Sequence, residues 1–144
     1  MPPLARDDSA GPSSTYVAGC EWIVDASGCL PELLRSAESL RTICELVVRE
    51  LELQIVGEPL WRTFPEPGGV TGLSLLTESH LACHTWPEYG LATFNLFCCR
   101  RRREWPWESR LQELLGATSV SVRMVERGGI VLPEPAVLAA GGQP

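Results

Sequence analysis

Glu78, Ser79, His80, Cys83, His84, Cys98 and Cys99 lie within one stretch of the chain, VTGLSLLTESHLACHTWPEYGLATFNLFCC, residues 70–99. This stretch holds both histidines of the protein and three of its six cysteines. A histidine exchanges protons near neutral pH, and a serine hydroxyl or a thiol becomes a nucleophile when geometry or a base assists it. Concentration of such groups between apolar segments points to a chemical site. Taken one at a time, each residue has an ordinary structural reading. Ser79 is then a turn residue, His84 a satisfied sheet histidine, Thr71 a strand threonine, and Cys98 and Cys99 small apolar fillers. Zinc binding by His80, Cys83, His84, Cys98 and Cys99 is a further reading. The spacing argues against it, because a strand places His80 and His84 on one face and Cys83 on the other, and no CxxC pair is present.

All twelve basic residues are arginine and none is lysine. A pyridoxal phosphate enzyme holds its cofactor on a lysine, so this chain cannot be one. Carbanion chemistry on an amine would need an electrophilic carbonyl from elsewhere. The net charge of −6 gives no nucleic-acid footprint. The one basic run, Arg100–Arg103, reads as a solvated loop after a strand. No segment is apolar and long enough to cross a membrane, and residues 1–14 do not have the pattern of a signal peptide. Six cysteines without a secretion signal point to reduced thiols in the cytoplasm.

The elements that must position this stretch follow from periodicity. Residues 15–24 alternate as a strand. Leu30, Leu33, Leu34, Ala37, Leu40, Cys44, Val47, Val48 and Leu51 make one helical stripe over 30–51. Strands are expected at 52–56, 60–64, 70–77, 80–86 and 90–99, a second helix at 106–115 with Gly116 as its cap, and a strand at 118–126. This order predicts an α+β fold, a two-layer sandwich with an antiparallel sheet and helices on one face. The expected domain is 15–127, flanked by a disordered tail at 1–14 and a flexible one at 128–144. A sheet with an uncovered face invites a partner subunit.

The run TESHLACHTWPEYG with FNLFCC after it, preceded by PGGVTG, closely resembles the prokaryotic S-adenosylmethionine decarboxylases. The resemblance covers about residues 15–127, and its specificity sits in 67–99. It implies a proenzyme that cuts itself between Glu78 and Ser79 into a β chain, 1–78, and an α chain, 79–144. Ser79 then becomes a pyruvoyl cofactor that forms a Schiff base with the substrate. The same resemblance implies His84 as the processing proton acceptor, Thr71 as the hydroxyl that supports processing, and Cys99 as the proton donor in turnover. It implies Glu88 and Phe64 as substrate contacts and no metal. The implied substrate is S-adenosylmethionine, the implied product an aminopropyl donor for spermidine synthesis, and the implied assembly a dimer of αβ protomers. Asn95 departs from an acidic residue of the family, and Phe64 stands one residue away from the family's spacing. Two alternatives remain at this level: a pyruvoyl-dependent ornithine or arginine decarboxylase, and an uncleaved metal-binding or regulatory protein.

Overall fold

A computed structural model describes residues 15–131. The chain runs β1 (Thr15–Ser27), α1 (Pro31–Leu34), α2 (Ala37–Glu50), β2 (Leu60–Thr63), β3 (Val70–Leu76), β4 (Ser79–Trp86), a 3-10 turn Pro87–Tyr89, β5 (Leu91–Cys98), α3 (Trp107–Leu115) and β6 (Ser119–Val131). The strands form one six-stranded sheet in the order β2-β3-β4-β5-β1-β6, and every neighbouring pair is antiparallel. The expected α+β sandwich is the fold observed.

Strand alternation decides which residues meet the helices. Cys20, Trp22, Val24 and Ala26 of β1 are buried, as are Leu81, Cys83 and Thr85 of β4 and Ala92, Phe94, Leu96 and Cys98 of β5. They pack under Leu34 of α1, Leu40, Ile43 and Val47 of α2, and Leu111 and Leu115 of α3. Trp105 and Trp107 close this layer, their rings meeting edge to face at 4.9 Å. The register sets the opposite face in three rows: Leu75, His80, Phe97 and Glu21; Leu73, Ala82, Asn95 and Ile23; Thr71, His84, Thr93 and Asp25. No helix is assigned to this face among the described residues, and Leu73 and Leu75 on it are exposed.

Three elements differ from the periodicity reading. The helix expected over 30–51 breaks at Arg35-Ser36, because the Ser36 hydroxyl accepts a hydrogen bond from the Ser39 N–H at 3.1 Å and starts a new helix. The apolar stripe continues across the break, so spacing alone conceals it. The strand expected at 52–56 is a single bridge, Ile55 to Leu76. The last strand runs to Val131, past the expected boundary at 127, because Gly129–Val131 pair with Thr15–Val17. Of the tails expected at 1–14 and 128–144, residues 128–131 belong to this strand, and 1–14 and 132–144 lie outside the described residues.

Candidate active site

The Glu78-Ser79 peptide sits at the β3–β4 hairpin, where Leu76 pairs with Ser79 across Thr77 and Glu78. The Cys99 N–H donates to the Glu78 carbonyl oxygen at 2.8 Å. That carbonyl is the one a Ser79 attack would strike. A hydrogen bond here polarises it and is placed to receive negative charge on its oxygen. A tight turn that assists such an attack can hold its peptide in an unusual conformation. The structure has none of the left-handed kind, since Glu52 is the one non-glycine residue with positive φ among those described.

Ser79 is buried on the helix side of the sheet, and its Oγ makes no hydrogen bond of ordinary geometry. Cys98 faces it across the ladder. Burial pushes the Cys98 thiol up to about 11, with Cys20 and Cys99 adding to the effect; Arg102 and a weak contact with the Ser79 hydroxyl pull the other way. Cys99, one residue past β5, is exposed. Glu78 meets two guanidinium groups, Arg100 at 2.8 Å and Arg102 at 3.8 Å. The basic run read as a solvated loop therefore sits on the expected cleavage point.

The other candidate residues gather elsewhere. Phe64, Thr71, His84 and Glu88 line one open cleft of about 350 Å³ together with Trp86, Pro65 and Pro67. The Thr71 hydroxyl and His84 Nδ1 are 3.0 Å apart. The cleft wall is the loop from Phe64 to Gly69, closed by the Phe64 N–H on the Gly69 carbonyl at 2.8 Å and tied to α1 by Arg35 Nε on the Pro67 carbonyl at 2.9 Å. Gly69 is required there, since a Cβ would meet the Thr85 carbonyl oxygen at 2.5 Å. Beneath lies Thr85, whose hydroxyl accepts from the Val70 N–H and donates to the Leu34 carbonyl, both at 2.8 Å. Sequence reasoning gave Thr85 and Trp86 no role, although both lie in the HTWPE run. The Phe64 ring carries the Arg62 guanidinium 5.2 Å from its centre.

Ser79 and His84 thus belong to two half-sites. They begin and nearly end β4, five residues apart, which separates them by about 16 Å along the strand. They also project from opposite faces: Ser79 toward the helices, and His84 in the exposed row with Thr71 and Thr93. The zinc reading divides in the same way. Cys83 is buried with the core, and among the described residues no three of His, Cys, Asp or Glu gather as metal ligands.

A two-layer sandwich with the Glu78-Ser79 hairpin at one end of its central strands and an aromatic, carboxylate-bearing cleft at the other describes a class of protein whose members are known by sequence. The profile of the S-adenosylmethionine decarboxylase family matches residues 20–128, and the chain belongs to that family. It is 35% identical over 114 residues to the S-adenosylmethionine decarboxylase proenzyme of Picrophilus torridus, covering 76% of this chain and 84% of that one. Against the proenzyme of Moorella thermoacetica it is 34% identical over 122 residues, covering 83% and 95%. Against that of Archaeoglobus fulgidus it is 42% identical over 83 residues, covering 58% and 72%. The crystal structure of the adenosylmethionine decarboxylase from Aquifex aeolicus VF5 superposes with a TM-score of 0.64 at 26% identity, over 83% of this chain and 97% of that one.

Proposed function

We propose that this chain is the proenzyme of a pyruvoyl-dependent S-adenosylmethionine decarboxylase, which cuts itself at Glu78-Ser79 and then supplies decarboxylated S-adenosylmethionine to spermidine synthesis. The observation that carries the self-cleavage is the Cys99 N–H on the Glu78 carbonyl, with the unpartnered Ser79 hydroxyl beside that carbonyl. Attack by Ser79 Oγ converts the peptide bond to an ester, and the backbone N–H holds the developing oxyanion. Removal of the Ser79 α-proton then expels the Glu78 carboxylate. An imidazole suits that proton transfer at neutral pH. The pyruvoyl group, once formed, supplies the electron sink that lysine-bound pyridoxal supplies in other decarboxylases. Cys99, exposed and next to the cleavage point, is the proposed donor of the proton that replaces the lost carboxylate.

His84 cannot reach Ser79 of its own chain, which favours the dimer of αβ protomers. A two-fold axis lying between two such uncovered faces and perpendicular to the strands reverses strand direction. It sets the hairpin end of each chain over the cleft end of the other, and an isologous contact builds two equal sites. Thr71 and His84 of one copy then come to the hairpin end of its partner, where His84 approaches the Ser79 backbone and its α-proton from the side opposite the buried hydroxyl. In the cleft, Phe64 and Trp86 offer ring faces to an adenine or a sulfonium, and Glu88 offers a carboxylate to ribose hydroxyls. The volume of about 350 Å³ lies in the range of small-ligand sites. No helix among the described residues is long and apolar enough to cross a membrane. Six free cysteines accord with a reducing, cytoplasmic setting.

The deciding experiment pairs intact mass with labelled carbon dioxide release. The purified protein gives two fragments, 79–144 with a blocked N-terminus, and it decarboxylates S-adenosylmethionine in preference to ornithine or arginine. An active protein of one unbroken chain would refute the cleavage. Release from ornithine or arginine alone would refute the substrate and leave the cleavage standing.

A further inference from the structure

The four arginines after Cys99 divide by parity. Arg101 pairs with Glu126 of β6, and Arg103 donates to the Glu50 carbonyl at the end of α2. Arg100 and Arg102 instead reach back to the Glu78 carboxylate, at 2.8 and 3.8 Å. Two residues anchor the segment and two close on the residue whose carbonyl is to be cut. The same segment begins with the Cys99 N–H that holds that carbonyl. Exposed ion pairs of this kind add little to stability. Their placement is informative because of what cleavage does to Glu78. Before it, one carboxylate faces two guanidinium groups. After it, Glu78 is a chain terminus with two carboxylates, and the charges match.

Resting on the self-cleavage reading, we infer that Arg100 and Arg102 are a leaving-group clamp: they stabilise the Glu78 α-carboxylate as it departs and then hold the new C-terminus of the β chain. The step they assist starts from the ester between Glu78 and Ser79 Oγ. A base takes the Ser79 α-proton, and that electron pair forms the Cα–Cβ double bond. The Cβ–Oγ bond breaks, and its pair leaves on the Glu78 carboxylate. Tautomerisation and addition of water then release ammonia and give the keto group. No oxidant or reductant is consumed. Negative charge accumulates on Glu78 in this step, so two guanidinium groups at this spot favour it directly. Burial and Cys20 raise the Cys98 thiol, and Arg102 opposes that rise, so its field reaches the Ser79 side of the hairpin.

The test follows processing of freshly refolded proenzyme on denaturing gels, with and without hydroxylamine, which cuts esters and not peptide bonds. Arg100→Gln/Arg102→Gln is expected to process roughly tenfold more slowly and to accumulate a hydroxylamine-sensitive ester. Arg100→Lys/Arg102→Lys recovers part of the rate. Arg49→Gln, on the exposed side of α2, processes like wild type. In wild type itself, rising salt screens the clamp and enlarges the trapped ester fraction, which tests the idea even if the glutamine variant does not fold. Processing of Arg100→Gln/Arg102→Gln at the wild-type rate overturns the clamp. So does slow processing without trapped ester, which would put these arginines on the first step. A normal processing rate with a raised KM for S-adenosylmethionine also overturns it, by assigning them to the substrate carboxylate. A wild-type protein that stays whole with or without hydroxylamine defeats the self-cleavage reading instead.

Discussion

The Cys99 N–H donates a 2.8 Å hydrogen bond to the carbonyl oxygen of Glu78. This bond ties the end of β5 to the β3–β4 hairpin and brings together two stretches of sequence twenty-one positions apart. It also separates the roles of adjacent cysteines. Cys98, the last residue of β5, turns its thiol into the core opposite Ser79. Cys99 gives its backbone to the carbonyl and leaves its side chain exposed. The proposed attacking hydroxyl, the hydrogen-bonded carbonyl and the proposed proton donor thereby sit at one hairpin, none of them on a residue with positive φ.

Replacement of Ser79 by alanine removes the attacking oxygen and leaves the hairpin pairing intact. Ser79→Ala should therefore run as a single chain of 144 residues under conditions where wild type gives 1–78 and 79–144. Its unfolding midpoint in urea should stay close to that of freshly refolded wild type, because Ser79 Oγ has only its weak contact with the Cys98 thiol to lose. Intact mass and urea titration report the two parts separately. Two fragments from Ser79→Ala would place the nucleophile elsewhere.

The two thiols should differ in reactivity. Alkylation depends on thiolate fraction and access. Cys98 is buried and stays protonated until the pH approaches about 11, so at neutral pH iodoacetamide should label Cys99 first in folded protein. Peptide mass mapping at short times distinguishes the two. In the same frame, Cys98→Ala should process and turn over nearly normally, while Cys99→Ala loses most turnover by the processed enzyme. Preferential labelling of Cys98, or full activity in Cys99→Ala, would reverse the assignment.

Much of this site was legible because its residues are contiguous. Period-two alternation in TESHLACHTWPEYG separates Ser79 and Cys83 from His80 and His84, and the strand observed keeps that division. The same alternation holds the limit of the sequence reading. Five strand residues put Ser79 and His84 about 16 Å apart, yet a motif written on one line suggests that they meet. Side chains that a second copy would bring together leave no periodic trace. Arg100–Arg103 was opaque for a related reason. A run of like charges predicts a solvated loop, and its even–odd division depends on where Glu126, Glu50 and Glu78 fall in space. The break at Ser36 was hidden because the apolar stripe passes through it undisturbed, although a serine before a helical run is a capping signal.

Thr85 holds the cleft floor to both the sheet and α1. Thr85→Val keeps the shape but leaves the Val70 N–H and the Leu34 carbonyl without their buried partner. An unsatisfied buried polar group costs about 2 kcal/mol. The loss should appear as a lower urea midpoint with an unchanged slope, measured in a Ser79→Ala background so that a single chain unfolds. A cost near zero would mean that water replaces the hydroxyl at this position.

Glu88 lines the cleft with Phe64 and Trp86. If its carboxylate accepts hydrogen bonds from the ribose, Glu88→Gln weakens ground-state and transition-state binding alike. KM for S-adenosylmethionine should then rise about tenfold with kcat little changed, the pattern of a lost uniform contact. Self-cleavage, read from the gel, should proceed at the wild-type rate because the reacting groups are untouched. Unchanged KM and kcat in Glu88→Gln would remove the ribose contact from this residue.

The proposed division of the site between two chains has a test that needs no structure of a dimer. Ser79→Ala cannot form the ester, and His84→Ala lacks the proton acceptor, so each alone should remain uncut or stall at the ester. In a mixed dimer, Ser79 of the His84→Ala chain lies over His84 of the Ser79→Ala chain, and one of the two sites is complete. The other site lacks both groups. Co-refolding equal amounts should therefore restore processing in the His84→Ala chain alone. About half of all dimers would be mixed if subunits combine at random, each with one working site, so activity should approach about a quarter of wild type per chain. A size tag on one chain identifies which is cut. Were Ser79 and His84 to act within one chain, every chain in the mixture would still lack one of them, and mixing would restore neither cleavage nor decarboxylation.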